Sequence, residues 1–402
     1  MPDRIIFHID VNSAFLSWEA VRRLQQDPGA LDLRMVSSAV GGDLATRHGV
    51  ILAKSIPAKK YGVRTGEPVV DALRKCPDLL LVKPDHAMYR EQSRLFIEIL
   101  RRYSPDVEQF SVDEAFVDMT GTRALFGEPP AAARRIADEI RDTLGFTVNV
   151  GVSSNKLLAK MASDFEKPDK VHTLFPSEIG EKMWPMPVRE LFFVGRASEE
   201  RLRTLGIRTI GDLARADIIT LRRFFGKHGE VLWNFANGRD SSPVETQPQD
   251  NKGYGNSVTL AENAVTAREA KAVLLDLSEK VAQRLRADGV RIETVSVTIR
   301  YADFTENSHQ MALTNATDIT DELYSAACRL FDELWDGAPI RLLGVSTGRV
   351  LRGSEGRQLS LFDTTDYEKL ERLDHAMDDI RRRFGRNAVR RASVMERENP
   401  KK

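Results

Sequence analysis

Cysteine is almost missing from this chain of 402 residues. Cys76 and Cys328 stand far apart with no metal-ligand spacing around either, which excludes a disulfide framework or a zinc site and suits a reducing compartment. Histidine is sparse too: seven residues lie dispersed and form no ligand cluster. Long apolar runs are lacking, so no segment reaches the length of a membrane span. Met1-Pro2-Asp3-Arg4, followed by a very short apolar run, does not read as a signal peptide. The expected location is the cytoplasm, with no membrane partner. An excess of either charge is absent as well, because 59 basic residues balance 59 acidic ones, so any hold on nucleic acid must come from local patches. There is no low-complexity tract and no repeat array, and Gly41-Gly42-Asp43 lacks the Gly-Lys-Ser/Thr of a P-loop. What remains is an ordinary globular composition in a chain long enough to divide into two to four domains, each with its own core.

Against that background one stretch is out of place. Ser111-Val112-Asp113-Glu114-Ala115-Phe116 sets two adjacent carboxylates inside an apolar run that continues through Val117-Asp118-Met119. The pattern from Val107 to the turn-forming Thr120-Gly121 predicts a β-hairpin with both acids near its bend. An unpaired ionised carboxylate in a low-dielectric interior costs several kcal/mol, so such a pair calls for cations or several donors. A second buried-acid candidate is Asp10, which ends the strand-like Ile5-Ile6-Phe7-His8-Ile9 before helical spacing begins at Ala14. A carboxylate at the carboxyl end of a strand sits where open α/β sheets tend to keep their sites.

The rest of the chain supplies the surroundings. Residues 34–85 are rich in Gly, Pro and Lys and predict a small lobe with cationic loops, in which Lys54, Lys59, Lys60 and Arg64 read first as a solvated basic face and second as a clamp for a polyphosphate. A helix over Pro129 to Leu144, a buried strand over Phe146 to Val152 and a helix over Asn155 to Asp164 follow, the last stopped at Lys167-Pro168. Strands and helices alternate in this half, which predicts an α/β layer. Met186 to Arg239 changes to a helix-hairpin-helix pattern, in which a glycine turn at Val194-Gly195-Arg196 would offer backbone N–H groups to a DNA phosphate. After a polar linker, residues 255–351 read as a slightly acidic βαββαβ domain. Gln358-Leu359-Ser360-Leu361-Phe362 then puts apolar residues in a Gly/Ser/charged loop with no core to join, which predicts a partner's pocket for them. An amphipathic helix with Tyr367, Leu370, Leu373, Met377, Ile380 and Phe384 is expected to pack by its apolar face on the preceding domain.

Taken in order, Ile9-Asp10-Val11 leading to Phe15, Pro57-Ala58-Lys59-Lys60-Tyr61-Gly62-Val63-Arg64, Ser111-Val112-Asp113-Glu114-Ala115, and Ala162-Ser163-Asp164 to Lys167-Pro168 resemble the Y-family, or translesion, DNA polymerases, closest to their bacterial branch. The resemblance runs from about residue 4 to 352. It implies a right-hand polymerase: an α/β palm (1–20 and 75–172), small fingers (21–74), a helix-hairpin-helix thumb (173–240), a linker (241–252), a little finger (253–352), and a clamp-binding peptide with a helical tail (353–402). It further implies two Mg²⁺ ions held by Asp10, Asp113, Glu114 and the Val11 carbonyl. Lys59 and Lys167 would contact the triphosphate, Phe15 would act as a steric gate against the ribose 2′-hydroxyl, and Val194, Gly195 and Arg196 would hold DNA. Gln358, Leu359, Leu361 and Phe362 would bind the sliding clamp. The implied activity is low-fidelity, template-directed DNA synthesis past damaged bases without proofreading, by a monomer whose partners are primer-template DNA, deoxynucleoside triphosphates and the clamp. Departures from the family pattern are Lys59 for its usual arginine, Ala53 and Ile56 for a threonine and a tyrosine, Asn12 for an acid and Ala14 for an aromatic. These keep a second reading open, a clamp-bound DNA-binding adaptor with weak or no synthesis. A nucleotide cyclase with a palm-like site is disfavoured by the hairpin-helix segment and the clamp peptide.

Overall fold

The computed structural model describes residues 4–42, 49–247, 250–353, 366–385 and 387–391. They fall into two units divided after Pro248. The first unit begins with β1 (Ile6–Val11), whose six residues are all buried, as a continuous apolar run requires of a central strand. A left-handed Ser13, φ 48°, reverses the chain into α1 (Ala14–Gln26). The Gly/Pro/Lys-rich lobe has more order than its composition predicts. It contains β2 (Ser38–Gly41), β3 (Ile51–Lys54), α2 (Ile56–Lys60), α3 (Val69–Lys75) and β4 (Leu80–Val82), with the strands in the order β3-β2-β4 over a small core of Ala39, Ile51, Ala58, Val63, Val69 and Ala72.

α4 (His86–Arg101), capped by Asp85, leads into β5 (Val107–Gln109) and β6 (Glu114–Asp118), the predicted hairpin. Then come α5 (Arg123–Phe126), α6 (Pro129–Leu144), β7 (Val148–Ser153), α7 (Lys156–Ser163) and β8 (Val171–Thr173). Five strands form one sheet in the order β5-β6-β1-β7-β8, antiparallel except for the β7–β8 pair. β1 therefore lies at the centre, with Asp10 opposite Glu114 on one side and Asn149 on the other. α7 packs tightly on β7 because Gly151 has no side chain: a Cβ there would sit inside the van der Waals shell of the Ala159 carbonyl and the Ser163 amide. Leu157, Leu158, Met161 and Ala162 of α7 also enter the core of the following helical segment, so one helix serves both.

That segment comprises α8 (Arg196–Thr204), α9 (Ile210–Arg215), α10 (Ile218–Phe225) and α11 (Lys227–Ala236). Thr209 and Asp212 cap α9 reciprocally and Asp217 caps α10, the local chemistry that makes such short helices hold. The start of the polar linker is pinned within this unit, since Arg4 donates to the Ser242 carbonyl at 2.9 Å and the Glu245 amide donates to Glu108 at 2.7 Å.

The second unit has the predicted βαββαβ order: β9 (Gly255–Ala264), α12 (Ala267–Ala287), β10 (Val290–Tyr301), β11 (Glu306–Thr317), α13 (Thr320–Leu334) and β12 (Ile340–Arg352). Its antiparallel sheet runs β11-β10-β12-β9. Alternating burial along β10 matches a sheet with a core on one face. The tail helix α14 (Tyr367–Phe384) corrects an expectation. Of its apolar stripe only Met377 is buried, whereas Leu373, Ile380 and Phe384 are exposed. The helix is held chiefly by charge. Arg286 of α12 pairs with Asp374 at 3.1 Å and Asp378 at 2.7 Å, and Arg381 pairs with Glu279 at 3.1 Å. Asp374 also accepts the Thr320 amide at 2.8 Å, capping α13, whose own N-cap residue Ile319 has no side chain to do so. Gln358 to Phe362 lie outside the described residues. No described helix is long and apolar enough to cross a membrane. Cys76 and Cys328 are free thiols.

Candidate active site

The predicted acids meet at the centre of the five-stranded sheet. Asp10 and Glu114 are register partners on β1 and β6, and the Val11 amide donates to the Asp113 carbonyl at 3.0 Å, so the hairpin bend is tied to the end of β1. Inside the bend the Phe110 and Ser111 amides both donate to the Glu114 carbonyl, and the Ser111 hydroxyl donates to Asp113 Oδ1 at 2.7 Å. Lys156 of α7 fastens the hairpin from behind, pairing with Glu108 at 2.6 Å and lying over the Phe116 ring.

These carboxylates are short of solvation. Burial pushes Asp10 up to about 6, even though Lys167 and Lys160 pull the other way. Asp113 is also raised by burial, with its Ser111 hydrogen bond opposing. Two lysines from α7 and the loop after it supply the positive charge: Lys160 lies 2.5 Å from Glu114, and Lys167 pairs with Asp10. Lys167 precedes a cis peptide bond to Pro168. Among the described residues no three of His, Cys, Asp and Glu are grouped closely enough to form a cation site as they stand. The donor set nevertheless fits a hard divalent cation, being all oxygen, buried at Asp10 and half-buried at Asp113 and Glu114, and carrying more negative charge than its surroundings readily stabilise.

Lys160 escapes sequence reasoning, because a lysine inside an apolar helical pattern reads as a solvated residue. Its side chain is only 10% exposed. Burial alone would lower its pKa, but Asp164, Glu114 and Asp10 outweigh it and the value is raised. Asn12 and Asn149 are likewise structural in a way that spacing does not reveal. Asn12 Nδ2 donates to Asn149 Oδ1 at 3.1 Å, while Asn12 Oδ1 accepts from Thr147 Oγ1 and from the Asp169 amide, each at 2.9 Å. Asn149 Nδ2 donates to the Ser163 and Glu166 carbonyls. The loop bearing Lys167 is thereby sewn to β1 and β7. His8, buried on β1, lies 2.7 Å from Ser163 Oγ, and burial followed by the nearby Lys160 and Lys167 drives its pKa well down.

The other predicted residues lie on separate elements. The Phe15 ring, half-buried on α1, stacks on Tyr89 of α4 at 4.5 Å between centroids, 11° from parallel. Lys59 is exposed on α2, whose N-terminus Ser55 caps, and Lys54 on β3 donates to Thr65 Oγ1 at 3.1 Å. Ala53 is buried and Ile56 is exposed. In the helical segment, Val194 departs from expectation: its side chain is buried and its amide donates to the Leu191 carbonyl at 3.0 Å. The open groups at that turn are Gly195, N-cap of α8, and Arg196, which is 84% exposed.

Residues 9–164 match the impB/mucB/samB family, residues 251–361 match the C-terminal domain of that family, and residues 190–240 match a thumb domain described for DNA polymerase-iota. Over 396 residues the chain is 43% identical to the DNA polymerase IV of Clostridium acetobutylicum, with 98% of this chain and 99% of that one covered. The chain belongs to the DNA polymerase IV group of the Y-family. Membership rests on more than one relative: a DNA polymerase IV of Alkaliphilus oremlandii is 36% identical over 97% of this chain and 99% of its own. The protein named DNA polymerase IV 2 in Bacillus subtilis is 38% identical over 98% of this chain and 95% of its own. The fold agrees with that of a solved Y-family DNA polymerase chimera, at TM-score 0.74 and 24% identity, covering 87% of this chain and all of the other. The chain thus has the domain set of a Y-family polymerase: β5-β6-β1-β7-β8 lies in the segment that matches the family model, α8 to α11 in the segment that matches the thumb model and the βαββαβ unit in the segment that matches the C-terminal-domain model.

Proposed function

We propose that this protein is a translesion DNA polymerase that adds deoxynucleotides to a primer 3′ end by two-metal phosphoryl transfer, with low fidelity and no proofreading. The observation that carries the reading is the meeting of Asp10, Asp113 and Glu114 at the junction of β1 and β6 in a chain of this family. Their carboxylates and the Val11 carbonyl would hold two Mg²⁺ ions. When bound, such ions lower the pKa of an attacking hydroxyl and neutralise charge at the phosphorus. The chain's own groups position the reactants. Lys167 and Lys59, with Lys54 beside Lys59, bind the triphosphate. Phosphate contact by three ammonium groups offsets the loss of side-chain hydroxyls at Ala53 and Ile56. Gly195 and Arg196, at the open end of α8, grip the DNA backbone without regard to sequence.

Phe15 sets the sugar preference. Its ring is braced against Tyr89 and flanked by Trp18 and His86, so it does not yield to an added hydroxyl. Phe15→Ala is expected to raise ribonucleotide incorporation by roughly 10- to 100-fold relative to deoxynucleotide. Single-nucleotide kinetics with matched ribo- and deoxynucleotides test this, and an unchanged ratio removes Phe15 from the role.

The sliding clamp is the proposed partner of Gln358, Leu359, Leu361 and Phe362. Deleting residues 358–362 is expected to abolish clamp-stimulated synthesis and leave distributive synthesis intact; equal stimulation after deletion refutes the assignment. The direct test of the function as a whole is extension of a primer on intact and lesion-bearing templates.

A further inference from the structure

Asp164, the C-cap of α7, touches both of the lysines that sit on the catalytic carboxylates. One of its oxygens lies 3.3 Å from Lys160 Nζ and the other 2.8 Å from Lys167 Nζ. The same two ammonium groups occupy Glu114, at 2.5 Å, and Asp10. Five charged groups therefore form a chain, Glu114–Lys160–Asp164–Lys167–Asp10, closed by the pairing of Asp10 with Glu114 across β1 and β6.

A divalent cation and an ammonium group on one carboxylate compete for its lone pairs and repel each other at close range. Cation binding at Asp10 and Glu114 is therefore favoured when each lysine backs away from its carboxylate while keeping a partner, because a buried ammonium without one is costly. Asp164 is 44% exposed, loses little solvation in the exchange and is already in contact with both. Lys167, at 37% exposure, has room to swing, whereas Lys160, at 10%, can only lean along the bridge it already makes.

We infer that Asp164 is a positioning residue that draws Lys160 and Lys167 off Glu114 and Asp10 and so opens those carboxylates to divalent cations. The inference rests on the two-metal reading of the site. It assigns Asp164 no contact with cation, nucleotide or DNA; the residue acts through the two lysines.

The test is a Mn²⁺ titration of the full chain followed by the free-ion electron paramagnetic resonance signal, with no nucleotide or DNA present. Asp164→Asn keeps the side chain's size and removes its charge. It is expected to weaken Mn²⁺ binding by about tenfold, the lower end of the effect of disturbing groups behind a metal ligand. Lys167→Met is expected to tighten binding. In the Lys167→Met background the effect of Asp164→Asn should shrink to about threefold or less, the non-additivity expected of residues that act through one another. Unfolding midpoints of all variants, measured in parallel, identify any that fail to fold. Equal Mn²⁺ affinity in Asp164→Asn and wild type overturns the inference and leaves the metal site standing. A full tenfold loss persisting in the Lys167→Met background overturns it too, since Asp164 would then act by its own charge. Absence of Mn²⁺ binding in the wild type overturns the inference and leaves the two-metal reading to the primer-extension test, since such ions also take ligands from substrate phosphates.

Discussion

Gly151→Ala is expected to cost about 3–5 kcal/mol of stability, a large share of the roughly 5–15 kcal/mol that holds a typical domain folded. The added methyl would meet the Ala159 carbonyl and the Ser163 amide, both backbone atoms of α7, which cannot move aside like the end of a flexible side chain. The only relief is to lift α7 off β7. That displacement would carry away Lys156, Lys160 and the hydroxyl of Ser163 together, and with them the groups that brace Glu108, Glu114 and His8. Any folded fraction should therefore lose synthesis out of proportion to its abundance. Chemical denaturation with activity measured on the folded fraction tests both parts. A variant with wild-type stability and activity would mean that α7 has room to move off β7 at no cost.

Asp374→Ala in the tail helix is expected to destabilise the little-finger unit by about 3–5 kcal/mol, the usual cost of removing one partner from a buried ion pair. Arg286, with a side chain only 6% exposed, would keep Asp378 but lose its second carboxylate. The Thr320 amide would be left without an acceptor at the start of α13, and Arg391, 3.4 Å from Asp374, would lose part of its network. Replacing Asp374 by Asn should cost less, because an amide oxygen still accepts from Thr320. The ordering Ala worse than Asn, read from thermal unfolding, separates the capping contribution from the ionic one. Unfolding midpoints equal to wild type in both variants would show that the tail is dispensable to the domain.

How far the site was legible depends on the range of the interactions that build it. The acids of β1 and the β5–β6 hairpin stand out because ionisable residues inside apolar runs violate the usual pattern, and the ordered motifs point to one family. α6 and the elements of the βαββαβ unit follow from periodicity and end signals. The lobe of β2, β3 and β4 is obscured by its own composition: its strands are three or four residues long, too short for alternation to register. Lys160 and Asn149 are hidden for a different reason. Their roles arise from partners that are distant in sequence, Glu114 for the one and Asn12 for the other. The tail helix shows the reverse error. Its apolar stripe is plain in the sequence, yet the residues that dock it are Asp374, Asp378 and Arg381, which a reading by hydropathy assigns to solvent.

The measurement that bears most directly on the central claim is primer extension with Mg²⁺ and all four deoxynucleotides, on undamaged and lesion-bearing templates, beside an Asp113→Ala, Glu114→Ala double variant. Template-directed extension by the wild type, continuing past at least one damaged base and lost in the double variant, is the predicted result. Tight binding of primer-template and clamp with no nucleotide added in either Mg²⁺ or Mn²⁺ would contradict it, and would make the protein an adaptor whose altered phosphate contacts at Ala53 and Ile56 are the first place to look.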